Sequence, residues 1–226
     1  MNNLTLVIPA KNESESLPHV LKEIFDLKLE CQIKVCLEKK DIKTINAIKN
    51  FNLEIFYQNN IGYGSALIEG INSVETDFFC IFNADGSFNP IELESMYKKI
   101  NSDNHDMIFA SRYMKGSGSD DDTIITSIGN YLFSKLGQIF FKLPISDILY
   151  TFAMGKTKVF KKINFKKNDF GLCVELPIKC HQNKYSISEI KSWERPRIAG
   201  VKKVKAFKDG AIIFFDMVKL FFKKDV

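Results

Sequence analysis

Asp85 stands where a single carboxylate could do chemistry, just beyond a short apolar run, in "CIFNADGSFNP". The unbroken run at 78–82 is typical of a strand covered on both faces, and Asn89-Pro90 is typical of a helix cap followed by a first-turn proline. Asp85 is therefore predicted at the carboxyl end of a buried strand, the edge where open α/β sheets bind ligands. A carboxylate there can hold a hard cation against phosphate oxygens, although an Asp-Gly turn that caps a helix fits the same residues.

The stretches on both sides of Asp85 predict alternating strands and helices. We expect strands at residues 4–8, 33–37, 53–57, 78–82 and 106–113. We expect helices at residues 14–27, 43–50 and 90–100, and another after the glycine-bearing loop that begins "NNIGYG". This alternation predicts an α/β fold with a doubly wound, mostly parallel sheet. Beyond it, helices are expected at residues 123–141 and 172–183, with short strands between 147 and 190.

Two further segments allow a functional or a structural interpretation. The loop "MKGSGSDDDT" is rich in Gly, Ser and Asp, and it is either a mobile lid beside the ligand edge or a solvated connection. The segment 205–226 predicts an amphipathic C-terminal helix, which either packs on the core or a partner, or lies on a membrane surface. Its spacing predicts one polar side and one apolar side. The polar side would carry Lys205, Asp209, Asp216, Lys219 and Lys223, and the apolar side Phe214, Phe215, Val218, Phe221 and Phe222.

Composition narrows the class of protein. Five cysteines without a C-x-x-C pair favour reduced thiols and a cytosolic compartment, and neither a signal peptide nor a spanning helix is expected. From Lys191 onward there are 10 basic and 4 acidic residues, which leaves 32 − 10 = 22 and 27 − 4 = 23 before it, so the net charge of +5 lies in the tail. Such a surface suits phosphates, whereas a single Trp without aromatic-basic interleaving argues against nucleic acid.

Five motifs, in this order along nearly the whole chain, resemble those of the family 2 glycosyltransferases. The branch in question includes dolichol-phosphate mannosyltransferase and the bacterial polyprenyl-phosphate glycosyltransferases. The motifs are "LVIPAKNES", "NNIGYGSALIEGI", "FNADGSFNP", "ASRYMKG" and "ERPRIAGVKKVKAFKDG".

The resemblance implies transfer of a sugar, with inversion, from a nucleoside diphosphate donor. Asp85, with Asn83 and Ser87, would hold Mg²⁺ or Mn²⁺, which stabilises the leaving diphosphate. It also implies a donor site of mostly small and polar residues: Pro9, Ala10, Asn12, Glu13, Glu38, Asn59, Gly62, Gly64, Asn83 and Ala84. The catalytic domain would span residues 1–204, with a donor half at about 1–113 and an acceptor half at about 114–204.

The acceptor implied by the resemblance is a polyprenyl phosphate or a related glycan-pathway molecule. A phosphate monoester is ionised near neutral pH and needs no general base, whereas a sugar hydroxyl acceptor would need one. Arg112 is expected to act in catalysis and, with Arg195, Arg197 and Lys203, to bind the acceptor phosphate. The alternative for each is a solvated surface charge. The enzyme would lie peripherally on the cytoplasmic face of a membrane.

Departures from the family pattern leave other functions open. The family usually has paired acids where this chain has Leu37-Glu38, an Asp in place of Asn83, a basic residue near Ser127 and an Arg in place of Ala153. The chain could thus be an active enzyme with altered contacts, an enzyme with an unusual donor or a saccharide hydroxyl acceptor, or a nucleotide-binding, membrane-docking subunit without activity.

Overall fold

The computed structural model describes residues 1–199 and 206–222, without the side chains of residues 206 and 207. In this part of the chain the strands are β1 (Leu4–Pro9), β2 (Gln32–Leu37), β3 (Glu54–Tyr57), β4 (Phe78–Ile81), β5 (Met107–Ser111), β6 (Gly118–Ser119), β7 (Ala153–Lys156), β8 (Ile187–Lys191) and β9 (Trp193–Glu194). The helices are α1 (Leu17–Asp26), α2 (Ile42–Ile48), α3 (Tyr63–Asn72), α4 (Glu92–Ser102), α5 (Ile124–Phe141), α6 (Thr157–Phe160), α7 (Leu172–Gln182) and α8 (Ala206–Phe222).

The predicted order of strands and helices is confirmed, while some element ends differ. The helix predicted at 14–27 begins at Leu17 because Pro18 occupies its first turn, where a missing N–H costs nothing. The helix predicted at 90–100 begins at Glu92 after a turn in which Asn89 Oδ1 accepts a hydrogen bond from the Ile91 N–H at 3.2 Å. Asn89 thus caps a turn rather than the helix itself.

A mostly parallel sheet forms the centre of the fold, as predicted. Among the described residues it has seven strands in the order β3-β2-β1-β4-β7-β5-β8, and only β7 runs antiparallel to its neighbours β4 and β5. The chain order reverses between β1 and β4, whose register pairs Val7 with Ile81. The residues after these strands, Pro9 onward and Asn83 onward, therefore leave the sheet side by side at a switch point.

Apolar side chains cover both faces of this sheet. Along β1, Leu4, Leu6 and Ile8 pack on one side with α1, α2 and α4, while Val7 packs on the other with α3, α6, α7 and α8. This alternation follows from the two-residue period of a strand. Because both faces are buried, the sheet offers ligands only its edge.

Helix α8 packs with a different face from the one predicted. Ile213, Asp216, Met217 and Leu220 are buried and form one stripe at helical spacing, so Asp216 does not share an exposed polar side with Lys219. Asp216 is buried because it forms an ion pair with Lys167. The predicted apolar side of this helix, which would pack on the core or a partner or lie on a membrane, is exposed. It consists of Phe214, Phe215, Val218, Phe221 and Phe222. Lys205 and Lys223 lie outside the described residues.

Candidate active site

A cavity of about 730 Å³ opens at the carboxyl edge of β1, β2 and β4. This size is within the range of small-molecule sites in proteins. The predicted donor residues that line it are Pro9, Ala10, Glu13, Glu38 and Gly62. The aspartate motif contributes Asn83, Ala84, Asp85 and Ser87, and the predicted basic residues contribute Arg112 and Arg197. The structure therefore brings together most of the residues that the five motifs singled out.

Three of the predicted donor residues lie away from this cavity. The Asn12 N–H donates to Asp41 at 2.7 Å, in a turn with φ of 54°. The Asn59 N–H donates to Glu69 at 2.6 Å, beside a smaller neighbouring cavity that Glu38 also lines. Gly64 is buried beneath backbone carbonyl oxygens of the segment 167–169, which leaves no room for a side chain. Their observed contacts shape the loops around the cavity.

Gly62 lines the cavity and also meets the segment 167–169. It has a φ of 129°, a backbone conformation that side chains rarely adopt, and a Cβ here would collide with the carbonyl oxygen of Asn168. The Ser65 N–H donates to that same carbonyl oxygen at 3.2 Å. The two glycines of "GYG" thus permit close approach between the start of α3 and the segment before α7.

Of the predicted acceptor-phosphate residues that the structure describes, Arg112 and Arg197 line this cavity and Arg195 does not. The Nη2 atom of Arg195 donates to the carbonyl oxygens of Gly86 and Phe88, both at 2.9 Å, and to Glu23 at 2.8 Å. Arg195 therefore holds the loop that follows Asp85. Lys203 lies outside the described residues.

Asp85 lies on the wall of the cavity with both carboxylate oxygens engaged. Oδ1 accepts a hydrogen bond from the Ser87 N–H at 3.0 Å, and Oδ2 lies 3.5 Å from Nη1 of Arg197. Asn83 donates from its side-chain amide to the Ser87 hydroxyl at 3.3 Å. Asp85 therefore closes the turn to Ser87, without capping α4, and also faces the cavity, while a cation held by Asp85 stays a prediction.

The oxygen atoms of Asp85, Asn83 and Ser87 suit a hard divalent cation. No group of three or more His, Cys, Asp or Glu residues in the described part of the chain is arranged to hold a metal ion. A cation beside Asp85 would consequently depend on ligand oxygens for much of its coordination. Mg²⁺ is often bound in this way, by one or two carboxylates together with substrate phosphates.

Arg112 is buried in a network of three carboxylates. Nε and Nη2 donate to Asp147 at 2.7 and 3.1 Å, and Nη1 donates to Glu194 at 3.0 Å and to Asp122 at 3.2 Å. Burial alone would lower the pKa of Arg112, but Asp147, followed by Glu194 and Asp122, raises it well above its usual value. These contacts engage four of the five N–H bonds of the guanidinium.

The Arg112 network changes what the sequence suggested for this residue. The positive charge of Arg112 is more than balanced by the three carboxylates around it. Its observed contacts therefore position the cavity wall, and they do not leave an unpaired cation to bind the acceptor phosphate. No local pattern in the sequence connects Arg112 to Asp147, Asp122 or Glu194. The acidic run in "SGSDDDT", which predicts a lid or a solvated loop, is the available signal for Asp122.

The segment 192–198, called the clasp below, joins the loop 117–122 to the aspartate motif. Strand β9 pairs with β6, and the Trp193 Nε1–H donates to Asp120 at 2.8 Å. On the other side the Arg195 N–H donates to the Ser87 carbonyl at 2.9 Å, and the Ile198 N–H donates to the Asp85 carbonyl at 2.8 Å. The segment 192–198 therefore lies across the Asp85 loop and holds the loop 117–122 beside it.

The cavity adjoins an exposed apolar surface formed by α5 and α8. Thr126 and Asn130 of α5 and Ile213 of α8 line the cavity. The exposed apolar residues of the α5–α8 surface are Ile124, Ile125, Ile128, Leu132, Ile139 and Phe140 of α5, and Phe214, Phe215, Val218, Phe221 and Phe222 of α8. The two exposed faces meet where the rings of Phe140 and Phe221 contact each other, with centroids 5.8 Å apart. Exposed apolar patches of this kind mark interaction sites.

Comparison with known proteins identifies relatives of this architecture. The family model "Glycosyl transferase family 2" matches residues 5–164. Glucosyl-3-phosphoglycerate synthase from Mycobacterium tuberculosis, in complex with Mn²⁺, UDP-glucose and phosphoglyceric acid, superposes with a TM-score of 0.78 at 11% identity, over 99% of this chain and 81% of that one. Mannosyl-3-phosphoglycerate synthase from Rubrobacter xylanophilus superposes with a TM-score of 0.76 at 15% identity, over 97% of this chain and 72% of that one.

Proposed function

The chain belongs to glycosyl transferase family 2 and is a glycosyltransferase, and from this premise we propose that it transfers a sugar from a nucleoside diphosphate to a polyprenyl-type lipid phosphate at a membrane surface. In this proposal residues 1–113 bind the donor, residues 114–204 bind the acceptor, and the segment 205–226 contacts the membrane. The observation that carries it is the position of the cavity directly beside the α5–α8 surface.

The donor would bind at the carboxyl edge of β1, β2 and β4. Pro9, Ala10 and Glu38 line that side of the cavity, and a hydrogen bond from Lys40 lowers the pKa of Glu38, which keeps it an anionic acceptor for ribose or base. Mg²⁺ or Mn²⁺ would be held by Asp85 with Asn83 and Ser87, and it would supply positive charge for the leaving diphosphate. The complex of a structural relative with Mn²⁺ and UDP-glucose supports this assignment.

The acceptor phosphate needs positioning rather than activation. One of its oxygens would form a bond to the anomeric carbon while the bond from that carbon to the donor diphosphate breaks, with inversion. The phosphate is already anionic near neutral pH, so no side chain has to remove a proton. Arg197 lies on the cavity wall, where it would contact the acceptor phosphate, and the structural relative is also in complex with a phosphate-bearing molecule, phosphoglyceric acid.

The charges around the α5–α8 surface suit an anionic bilayer. Its apolar residues are flanked by four exposed lysines: Lys135, Lys142, Lys208 and Lys219. Lys135 is the single charged residue within α5. Apolar residues with flanking lysines favour binding in the interfacial plane of a membrane that contains anionic lipids. No described helix is long and apolar enough to cross a membrane. In this proposal the enzyme lies peripherally on the cytoplasmic face of the membrane.

A transfer assay tests the acceptor. The protein is incubated with Mn²⁺ and each of several radiolabelled nucleotide sugars, with undecaprenyl phosphate in mixed micelles, 3-phosphoglycerate or a disaccharide as acceptor. We expect an acid-labile product that extracts into organic solvent, and its loss in Asp85→Ala. Transfer to 3-phosphoglycerate or to the disaccharide, with none to the lipid, would overturn the proposal of a lipid acceptor. The proposed donor site would still stand.

A vesicle assay tests the surface. We expect Phe215→Ser and Ile128→Ser to lower binding to vesicles that contain phosphatidylglycerol, with unchanged thermal stability. Ile91→Ser is a matched control, because Ile91 is 67% exposed and lies outside the α5–α8 surface. Equal binding by all variants, or binding to a protein partner in place of vesicles, would contradict membrane docking.

A further inference from the structure

Arg197 lies between two carboxylates at the point where the aspartate motif meets the clasp. Its Nε and Nη2 donate to Asp121 at 3.1 and 2.8 Å, and its Nη1 lies 3.5 Å from Asp85 Oδ2. The side chains of Arg197, Asp121 and Asp85 are 23%, 11% and 17% exposed. This guanidinium therefore acts as the counter-ion of Asp85 within a largely enclosed site.

We propose that Arg197 and a divalent cation are alternative counter-ions of Asp85, and that a bound diphosphate decides between them by drawing the guanidinium away from the carboxylate. The proposal rests on the donor chemistry proposed above and does not depend on the acceptor. It assigns Arg197 a role on the donor side, in addition to any contact with an acceptor phosphate.

The exclusion of one cation by the other follows from charge. A divalent cation on Asp85 Oδ2 and the Arg197 guanidinium would be like charges at close range in a poorly solvated site, where their repulsion is weakly screened. Hydrogen bonds from Arg197 to Asp121, with the nearby charge of Asp85, raise the pKa of Arg197, so it cannot relieve this repulsion by losing its proton. The guanidinium must move away instead.

The diphosphate gives the displaced guanidinium a better partner. Arg197 lines the cavity, and a guanidinium forms paired hydrogen bonds to phosphate oxygens as readily as to a carboxylate. The cation and the diphosphate would then bind cooperatively, because each removes part of the penalty that the other faces. Without Arg197, the cation alone should bind more tightly and the nucleotide more weakly.

The backbone around Arg197 is held in place, so this exchange of partners involves only the side chain. The N–H groups of Arg195 and Ile198 are held by carbonyl oxygens of the Asp85 loop, so the side chain can move while the segment stays in place. Trp193, the single tryptophan of the sequence, packs against Gly118 in the same clasp. Its fluorescence therefore reports whether a variant keeps the clasp folded.

The test measures two affinities in three proteins: wild type, Arg197→Gln and Lys191→Gln. Lys191→Gln removes one positive charge at the exposed end of β8 and serves as the charge control. Mn²⁺ binding without nucleotide is followed by the electron paramagnetic resonance signal of the free ion. Binding of a nucleoside diphosphate in saturating Mn²⁺ is followed by calorimetry, with UDP, GDP, CDP and dTDP each tried.

We expect Arg197→Gln to bind Mn²⁺ alone at least about fivefold more tightly, the lower end of ordinary coupling between sites. We expect it to bind the nucleotide at least about tenfold more weakly, as for the loss of a charged hydrogen bond. Lys191→Gln should match wild type in both. Unchanged or weaker Mn²⁺ binding in Arg197→Gln would overturn the proposal.

Failure of the proposed function is a separate result. Wild type that binds none of the four nucleotides would contradict the donor site, whereas the measurement with Mn²⁺ alone still decides the role of Arg197. If Trp193 emission shows that Arg197→Gln has lost the clasp, Arg197→Lys replaces it. Lysine keeps the positive charge but not the paired hydrogen-bond geometry, so we expect Arg197→Lys to bind Mn²⁺ about as tightly as wild type and the nucleotide more weakly. Tighter Mn²⁺ binding by Arg197→Lys would contradict competition between the two positive charges.

Discussion

The guanidinium of Arg112 and the carboxylate of Asp147 form a two-point ion pair, with Nε–Oδ2 at 2.7 Å and Nη2–Oδ1 at 3.1 Å. Both side chains are buried, and Asp147 also accepts a hydrogen bond from the Tyr150 N–H at 3.2 Å. The pair thus joins the end of β5 to the loop before β7. Several cavity-lining residues depend on the position of these two segments.

Removal of this arginine should destabilise the protein strongly. Arg112→Gln leaves the buried Asp147 and Glu194 and the partly buried Asp122 without their common cation, and breaking a buried ion pair in this way costs about 3–5 kcal/mol. The free energy of unfolding in urea measures the loss. Arg197→Gln is the control, because its pairs are more exposed and should cost about 1 kcal/mol. A loss near 1 kcal/mol in Arg112→Gln would show that water reaches the network.

Glu194 should make stability depend on pH. Burial raises the pKa of Glu194 above its ordinary value of 4.5, although Arg112 and Ser119 oppose this shift. A carboxyl group with a raised folded-state pKa contributes stability that is complete below the unfolded pKa and is lost as pH rises through the folded pKa. The free energy of unfolding of wild type, relative to Glu194→Gln, should therefore decrease as pH rises above about 4.5.

Urea unfolding of wild type and variant between about pH 4 and about pH 8 measures this slope. Glu94→Gln is the control without a slope over most of this range: a hydrogen bond from Lys98 lowers the pKa of the exposed Glu94, so its contribution to stability is complete above the ordinary pKa of 4.5. An advantage of wild type over Glu194→Gln that grows with pH would mean that Arg112 outweighs burial.

Gly62 should not tolerate a side chain. Gly62→Ala combines a strained backbone with a collision against the Asn168 carbonyl, so we expect a loss of at least about 2 kcal/mol in the free energy of unfolding, together with weaker nucleotide binding. Gly129→Ala is the matched control. Gly129 lies inside α5 with open space around it, so alanine should stabilise the protein by about 1 kcal/mol. Equal stability of the two variants would contradict close packing at Gly62.

Nucleotide binding should raise the melting temperature in the presence of metal. A ligand at a hundred times its dissociation constant adds about 2.7 kcal/mol, which for a chain of this length corresponds to a rise of about 5–10 °C. Thermal unfolding with UDP, GDP, CDP and dTDP, each with and without Mn²⁺, should single out one nucleotide. Asp85→Asn should lose the Mn²⁺-dependent part of the rise, and an undiminished rise would remove Asp85 from the cation site.

The sequence alone determined the architecture and the place of Asp85. Apolar runs and helical spacing are local, so they predicted the alternation of strands and helices and placed Asp85 after β4, at the ligand edge. The glycines of "GYG" could also be recognised, although their reason, contact with the segment 167–169, lies about a hundred residues away in the chain.

Only the tertiary structure decided which charges meet. Arg112 contacts Asp147 and Glu194 across 35 and 82 positions, and Arg197 reaches Asp85 from the other end of the chain. A periodic pattern shows that a residue is polar, but it does not name the partner that permits its burial. For the same reason the pattern placed Asp216 on an exposed face of α8, whereas Lys167 allows it to be buried and turns the phenylalanines outward.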